Sequence, residues 1–157
     1  MDWQSIHVYY YEPDKDALIL EAARPLFQRL AAAPGGPVTS MSFTRHWLQG
    51  PHLRLNVRAD DAAIEEVVRP AVDEIVGGFL TRRPSTRMLD PERELPAHQR
   101  LAQLEREPSP LMPWYPDNSI RFAPYRHRED IIGTRAAAEL LAEFYADSTD
   151  FAFQVIE

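Results

Sequence analysis

Between Phe43 and Arg58 the chain reads FTRHWLQGPHLRLNVR, two runs of strand-like alternation about a Gly50-Pro51 turn. Alternation constrains more than secondary structure, because successive side chains of a strand leave on opposite faces. In the second run His52, Arg54 and Asn56 leave one way and Leu53, Leu55 and Val57 the other, so one face is apolar and its reverse carries charge and imidazole. Arg45, His46, His52, Arg54 and Arg58 crowd a hairpin that needs none of them in order to fold.

The flanking sequence supplies elements to pack against that apolar face. Ile6, Val8 and Tyr10 alternate with His7, Tyr9 and Tyr11, which predicts a strand over Ser5 to Tyr11. From Asp16 to Ala32 the residues Leu18, Ala22, Leu26 and Leu30 recur at helical spacing, with Pro25 as an anomaly inside the run. Ala33-Pro34-Gly35-Gly36-Pro37 is a loop. Strands are expected at Ser40 to Trp47 and Leu53 to Arg58. A helix capped by Asp60 or Asp61 follows, carrying Ile64, Val67, Val68, Ala71, Val72, Ile75 and Val76; Pro70 lies inside it and Gly77-Gly78 closes it.

Arg82 to Pro113 holds six prolines and many charges, and reads as an extended, partly mobile excursion with one short helix from Ala97 to Glu107. Ser119 to Pro124 reads as a strand, Thr134 to Ala146 as a helix with Ala137, Leu140, Leu141 and Phe144 on one face, and Phe151 to Ile156 as a last strand-like segment. The order β-α-β-β-α in the first half predicts an α+β fold, an antiparallel or mixed sheet covered by helices. A chain of 157 residues fits one domain, residues 1–157.

Charge narrows the partners. Seventeen Lys plus Arg against twenty-four Asp plus Glu leave a net charge of −7, which disfavours general attraction to nucleic acid or anionic membrane. All the basic side chains but Lys15 are arginines, whose planar fork suits carboxylates and other oxyanions. The chain has no cysteine, no secretory signal at MDWQSIHVYYYEP and no apolar run long enough for a membrane span, so a cytoplasmic location is expected.

Arg45 and Arg54 sit on opposite arms of the hairpin. Brought to one face, two guanidinium groups would hold a carboxylate or an enolate-like charge, with His52 beside Arg54 to give or take a proton. His46 points away from Arg45 on a regular strand and is read as structural. His7, His98 and His127 are scattered, and no H-x-x-x-H or H-E-x-x-H spacing exists, so neither a metal nor a cofactor is expected. Tyr9, Tyr10 and Tyr11, with Trp3, Trp47 and Trp114, offer rings to pack the fold or stack a peptide.

The opening W-x-x-I-H-V-Y-Y-Y-E-x-x-x-D from Trp3 to Asp16, Arg24-Pro25-Leu26, and F-T-R-H-W-L-Q-G-P-H-L-R-L-N-V from Phe43 to Val57 resemble the domain of lantibiotic dehydratases and thiopeptide-type bacteriocin biosynthesis proteins. Tyr125-x-x-x-x-Asp130-Ile131-Ile132-Gly133 and Phe144-x-x-Asp147-Ser148 resemble its later elements, with Arg126-His127-Arg128-Glu129 where the family carries a Pro-Glu pattern. G-P-H-L-R-L is the most specific part. The resemblance implies tailoring of a ribosomally made precursor peptide. In the family this is elimination of glutamate from glutamylated Ser or Thr to leave dehydroamino acids, or a formal [4+2] cycloaddition that makes the thiopeptide pyridine.

On that resemblance elimination is the leading expectation, with Arg54, His52 and Arg45 as catalytic candidates and Tyr9, Tyr11, Trp47 and Tyr125 as substrate contacts. The family also carries a further acid or base histidine beyond its acidic-Ser element, with no counterpart here. The alternatives are therefore the pyridine-forming cyclase and a non-catalytic peptide-binding subunit of a split dehydratase. Expected partners are the precursor peptide, a glutamylating enzyme or second subunit, and a second copy of the chain if a sheet edge is left open.

Overall fold

The computed structural model describes residues 1–157. Four strands, β1 (Asp2–Tyr9), β2 (Val38–His46), β3 (His52–Ala59) and β4 (Ser119–Pro124), form an antiparallel sheet in the order β2-β3-β1-β4. The fold is α+β. Ile6 and Val8 of β1 and Leu53, Leu55 and Val57 of β3 project from one side and are fully buried. Each such side chain contributes about 1.5–3 kcal/mol through burial.

Two helices cover that side. The first, α1, runs over residues 16–31 and is not uniform: a turn of α-helix at Asp16–Leu18, a π-helical turn at Ile19–Ala23, then α-helix again at Arg24–Ala31. The second, α2, spans residues 61–82 and repeats the device, with its π-turn at Ile64–Val68 and α-helix at Arg69–Arg82. The π-turns account for Pro25 and Pro70. A proline ring collides with the carbonyl one α-turn back and offers no N–H, and a widened turn just before it moves that carbonyl aside. Asp60 caps α2 by accepting from Ala63 N at 2.8 Å.

Several boundaries differ from the sequence reading. β1 starts at Asp2, because Asp2 to Gln4 pair with Ala59 to Val57, and it ends at Tyr9. α2 passes through Gly77-Gly78 to Arg82, since Phe79 and Leu80 beyond the glycines are buried in the core. The 82–113 stretch is not extended: α3 (Pro91–Glu105) occupies its middle, with Asp90 accepting from Glu92 N at 3.1 Å and Pro91 in the first turn, where a missing N–H costs nothing. Ser85 and Asn118 exchange two hydrogen bonds, Ser85 N to Asn118 Oδ1 at 2.7 Å and Asn118 Nδ2 to Ser85 O at 2.9 Å, and so join the ends of the stretch.

After β4 come α4 (Glu129–Ile132), α5 (Arg135–Asp147) and α6 (Thr149–Ile156). The last was expected to be strand-like; it is helical because Thr149 and Phe153, one turn apart, are its buried residues. Phe153 closes the core between Phe27 and Phe43, with ring centroids 5.9 and 5.1 Å away. α5 buries Ala138 and Ala142, keeps Ala137 and Leu141 half-buried beside them and leaves Leu140 and Phe144 exposed, so its inner face is turned from the one expected. Its Glu143 accepts from Arg58 Nη1 (2.8 Å) and Ser40 Oγ (3.2 Å) on the sheet side away from α1 and α2. At the β2 edge the Thr149 hydroxyl donates to Met41 O at 3.1 Å. No helix is long and apolar enough to cross a membrane.

Candidate functional site

The reverse side of the sheet is built from cross-strand rows that register fixes. Thr44, Arg54, His7 and Arg121 form one row across all four strands; His46, His52, Tyr9 and Ser119 form the next; Ser42, Asn56, Ser5 and Ala123 form the row on the other side. Directly opposed residues on one face interact through side chains about 5 Å apart at Cβ. His7 therefore stands between Arg54 and Arg121.

Arg45 does not join them. It pairs with Leu53, which turns it to the helix-covered side, where Nη2 meets Asp16 Oδ1 at 3.1 Å and both side chains are half exposed. Register thus settles what the sequence left open and corrects the candidate set: Arg45 and Arg54 lie on opposite faces. His46, read as structural, does point away from Arg45: it stands on the Arg54 side with its ring 5.5 Å from that of His52, and its Nδ1 accepts from Leu48 N at 3.1 Å.

Polar groups on this face are buried and partnered. Ser5 Oγ donates to Asn56 Oδ1 at 2.8 Å and Asn56 Nδ2 to Ser42 Oγ at 3.3 Å, a polar chain across three strands. Arg54 Nε donates to His52 Nε2 at 3.0 Å, so that nitrogen carries a lone pair and His52 Nδ1–H is left to donate to Gly50 O at 2.8 Å. With 1% of its surface exposed, His52 orients Arg54 from beneath rather than meeting a ligand.

Burial, and next the neighbouring guanidinium of Arg54, hold the imidazoles of His7 at about 3 and His46 at about 4; burial takes His52 to about 2 despite its bond to Gly50. All three are neutral at neutral pH. Burial also lowers Arg54, to about 10, which leaves it charged.

The cover over this face comes from the 82–118 stretch and from the end of β4. Helix α3 ends on Arg106 in a left-handed conformation (φ 52°), and the Glu107 N–H closes the turn onto Ala102 O at 2.8 Å. That geometry aims the Glu107 carboxylate inward. Both its oxygens accept from Arg126 Nη1 at 2.7 Å, and Ser109 N donates to it at 3.0 Å. Burial alone would raise this carboxyl, but the Arg126 and Ser109 hydrogen bonds hold it at about 2. Tyr115 lies over Tyr9 (5.0 Å), and Arg121 stacks on Tyr115 with its Cζ 4.5 Å from the ring centroid.

Two adjoining cavities open between cover and sheet, of about 110 and 180 Å³. His7, Arg54, Pro124 and Arg126 line both. Ser5, Thr44, Asn56, Tyr125 and Tyr145 complete the first, and Tyr9, Gln49, Ser109 and Arg121 face the second. Arg126 has Glu107 as its carboxylate partner, whereas Arg54 and Arg121 form no ion pair. Three guanidinium groups against one carboxylate leave a cationic site whose imidazoles are uncharged. No group of three or more metal-ligating side chains exists. A larger cavity of about 610 Å³ lies elsewhere, between α1, β2 and the α5–α6 pair, and contains no member of the rows around Arg54.

Of the four aromatic candidates, Tyr9 and Tyr125 line the cavities. Tyr11 is a strut: its hydroxyl donates to Tyr115 O, burial pushes it up to about 12, and its ring presses on Gly50, where a Cβ would lie 3.0 Å from the tyrosine oxygen. Trp47 anchors α3, its Nε1 donating to Glu105 at 3.1 Å. His7, Arg121, Arg126 and Glu107 are not among the site candidates of the sequence reading. Alternation within β1 and β4 already puts His7 and Arg121 on the side opposite Ile6, Val8, Ile120 and Phe122, but nothing local shows that these strands lie beside β3.

Residues 3–157 match the family described as lantibiotic biosynthesis dehydratase C-term. The chain belongs to this family. No curated protein matches it in sequence. Among solved structures it is similar to a pyridine synthase, TbtD, from thiomuracin biosynthesis, at 43% identity and a TM-score of 0.87. That likeness covers 99% of this chain and 48% of the synthase, so the chain spans about half its relative's length.

Proposed function

We propose that this family member acts in pyridine formation on a precursor peptide carrying two dehydroalanines. The observation that supports this over glutamate elimination is the 43% identity, over nearly the whole chain, to a pyridine synthase. In a formal [4+2] closure an amide must first become its imidic acid, losing N–H and gaining O–H. Its C=N and the adjacent C=C then form the diene, and the second dehydroalanine supplies the alkene. Loss of water from the former carbonyl carbon and of an amide from the former alkene carbon leaves the aromatic ring. In this reading Arg54 holds the amide oxygen as charge gathers on it and neutral His7 accepts the proton, roles supported by their pairing across β1 and β3 and their shared cavity.

The chain spans about half of the synthase's length, so the reaction is proposed for the chain alone or with a second polypeptide. The test incubates a peptide with two dehydroalanines with this chain alone and with such a complementary polypeptide, following pyridine absorbance and loss of water by mass. Pyridine in either mixture supports the proposal; none in both, with the peptide bound, removes it. The family description keeps elimination as the second reading. It calls for glutamate release from a glutamylated peptide, on which a pyridine synthase is inert.

A further inference from the structure

The row Thr44-Arg54-His7-Arg121 sets one imidazole between two guanidinium groups that have no carboxylate of their own. We infer that an oxyanion held between Arg54 and Arg121 brings a proton onto His7, so that this imidazole becomes an acid only while the anion is present. The ligand class is a small carboxylate or an imidate formed from a peptide amide. The proposal deepens the reading above, on which it rests for the identity of the oxyanion; the coupling itself rests on the row.

The argument is electrostatic. His7 is 7% exposed and faces a guanidinium on each neighbouring strand, so in the empty site a proton on it would meet like charge from both sides. The other groups turned toward it supply no compensating charge. Its own strand offers Tyr9, whose hydroxyl lies 3.5 Å from His7 Nδ1, and β3 and β2 offer the uncharged His52 and His46. Beyond β4 stand Tyr125 and Arg126, from α5 Tyr145, and from the cover Tyr115 and Glu107, whose carboxylate is taken up by Arg126.

His7, Arg54, Arg121 and Arg126 all line the second cavity, so an anion seated there reaches the imidazole and the guanidinium groups on either side of it. Its negative charge offsets the guanidinium repulsion and favours the imidazolium. In the proposed reaction the proton comes from the substrate amide: the N–H bond breaks, an N–H bond forms on His7, and the oxyanion remains against Arg54 and Arg121. The proton then returns on the oxygen, which gives the imidic acid and restores neutral His7.

The test uses sulfate, which stays ionised across the useful pH range, against chloride at equal ionic strength. The imidazole Cε1–H resonances are followed by NMR and His7 is assigned with His7→Gln. Saturating sulfate is expected to raise the His7 midpoint by about one pH unit or more. By linkage, sulfate then binds roughly tenfold more tightly for each unit of pH lowered between the two midpoints. In chloride, Arg121→Gln should itself raise the His7 midpoint, because a repelling charge is gone, and it should at least halve the sulfate response; Arg54→Gln is the second variant, on the other flank. Absence of sulfate binding, sulfate binding that leaves the His7 midpoint in place, or a response undiminished in both variants overturns the inference. A protein that shows the coupling and makes no pyridine loses only the reaction proposed above.

Discussion

Glu107 and Arg126 form the buried clasp between the 82–118 cover and the end of β4, and removing the carboxylate has a consequence whose size and pH window follow from geometry. The Glu107 side chain is 1% exposed and its carboxyl moves from the ordinary 4.5 to about 2, while Arg126 is 34% exposed. At about 1.4 kcal/mol per pH unit the full drop corresponds to roughly 3 to 4 kcal/mol, and halving it for solvent screening on the Arg126 side leaves about 2 kcal/mol. The folded value lies below the unfolded one, so this stability is present above pH 4.5 and is lost as pH falls from there toward 2.

Glu107→Gln should therefore destabilise the protein by about 2 kcal/mol at pH 7 in urea unfolding, and the gap from the parent should close as pH approaches the folded value. Arg126→Ala should cost more, about 3–5 kcal/mol, since it leaves the carboxylate buried without its partner. A Gln variant equally destabilised at pH 7 and near pH 2.5, or no weaker than the parent at pH 7, would refute the reasoning.

Arg54→Ala should lower pyridine-forming turnover by about a hundredfold or more, whereas Arg45→Ala, which breaks only a half-exposed pair with Asp16, should leave turnover unchanged and cost under about 1 kcal/mol by denaturant titration. Gly50→Ala should destabilise by about 1–3 kcal/mol, because φ there is 108° and a Cβ would meet the Tyr11 ring; a calorimetric melting temperature equal to the parent's would contradict this. His52→Phe keeps a ring in the stack but leaves Gly50 O and Arg54 Nε without their partner, so kcat should fall and stability drop by about 1–3 kcal/mol; unchanged kcat would show that Arg54 needs no orienting.

The apolar half of the sheet is legible because it is a local property: Leu53, Leu55 and Val57 declare their common side through period 2 alone. The polar half depends on register, which is not local. The loop from Trp47 to Pro51 brings His46 opposite His52, so Thr44 falls opposite Arg54 and Arg45 opposite Leu53. One residue more or less in that loop would exchange the two sides of β2 and bring Arg45 into the site. Likewise Glu107 and Arg126, nineteen positions apart, meet because α3 ends in a left-handed turn at Arg106, a conformation that an arginine gives little reason to expect. Pro25 and Pro70 stand out as anomalies in predicted helices for the reverse reason, since a π-turn ahead of each absorbs a local conflict that would otherwise mark a helix end.

These placements make the empty site nearly indifferent to pH across the physiological range. Burial and guanidinium neighbours put His7 at about 3, His46 at about 4 and His52 at about 2; Glu107 lies at about 2 and Arg54 at about 10. Because kcat/KM reports the free protein, its pH profile on a peptide with two dehydroalanines should be flat from roughly pH 5 to 9. It should fall only toward pH 4 and below, as the proton that His7 must accept is already in place. The kcat profile reports the occupied site, where an oxyanion beside His7 favours its protonation, so its acidic limb should lie at higher pH than that of kcat/KM. A kcat/KM limb near pH 6.5, the value of an unperturbed imidazole, would mean that the reacting proton passes through a histidine outside the Arg54-His7-Arg121 row.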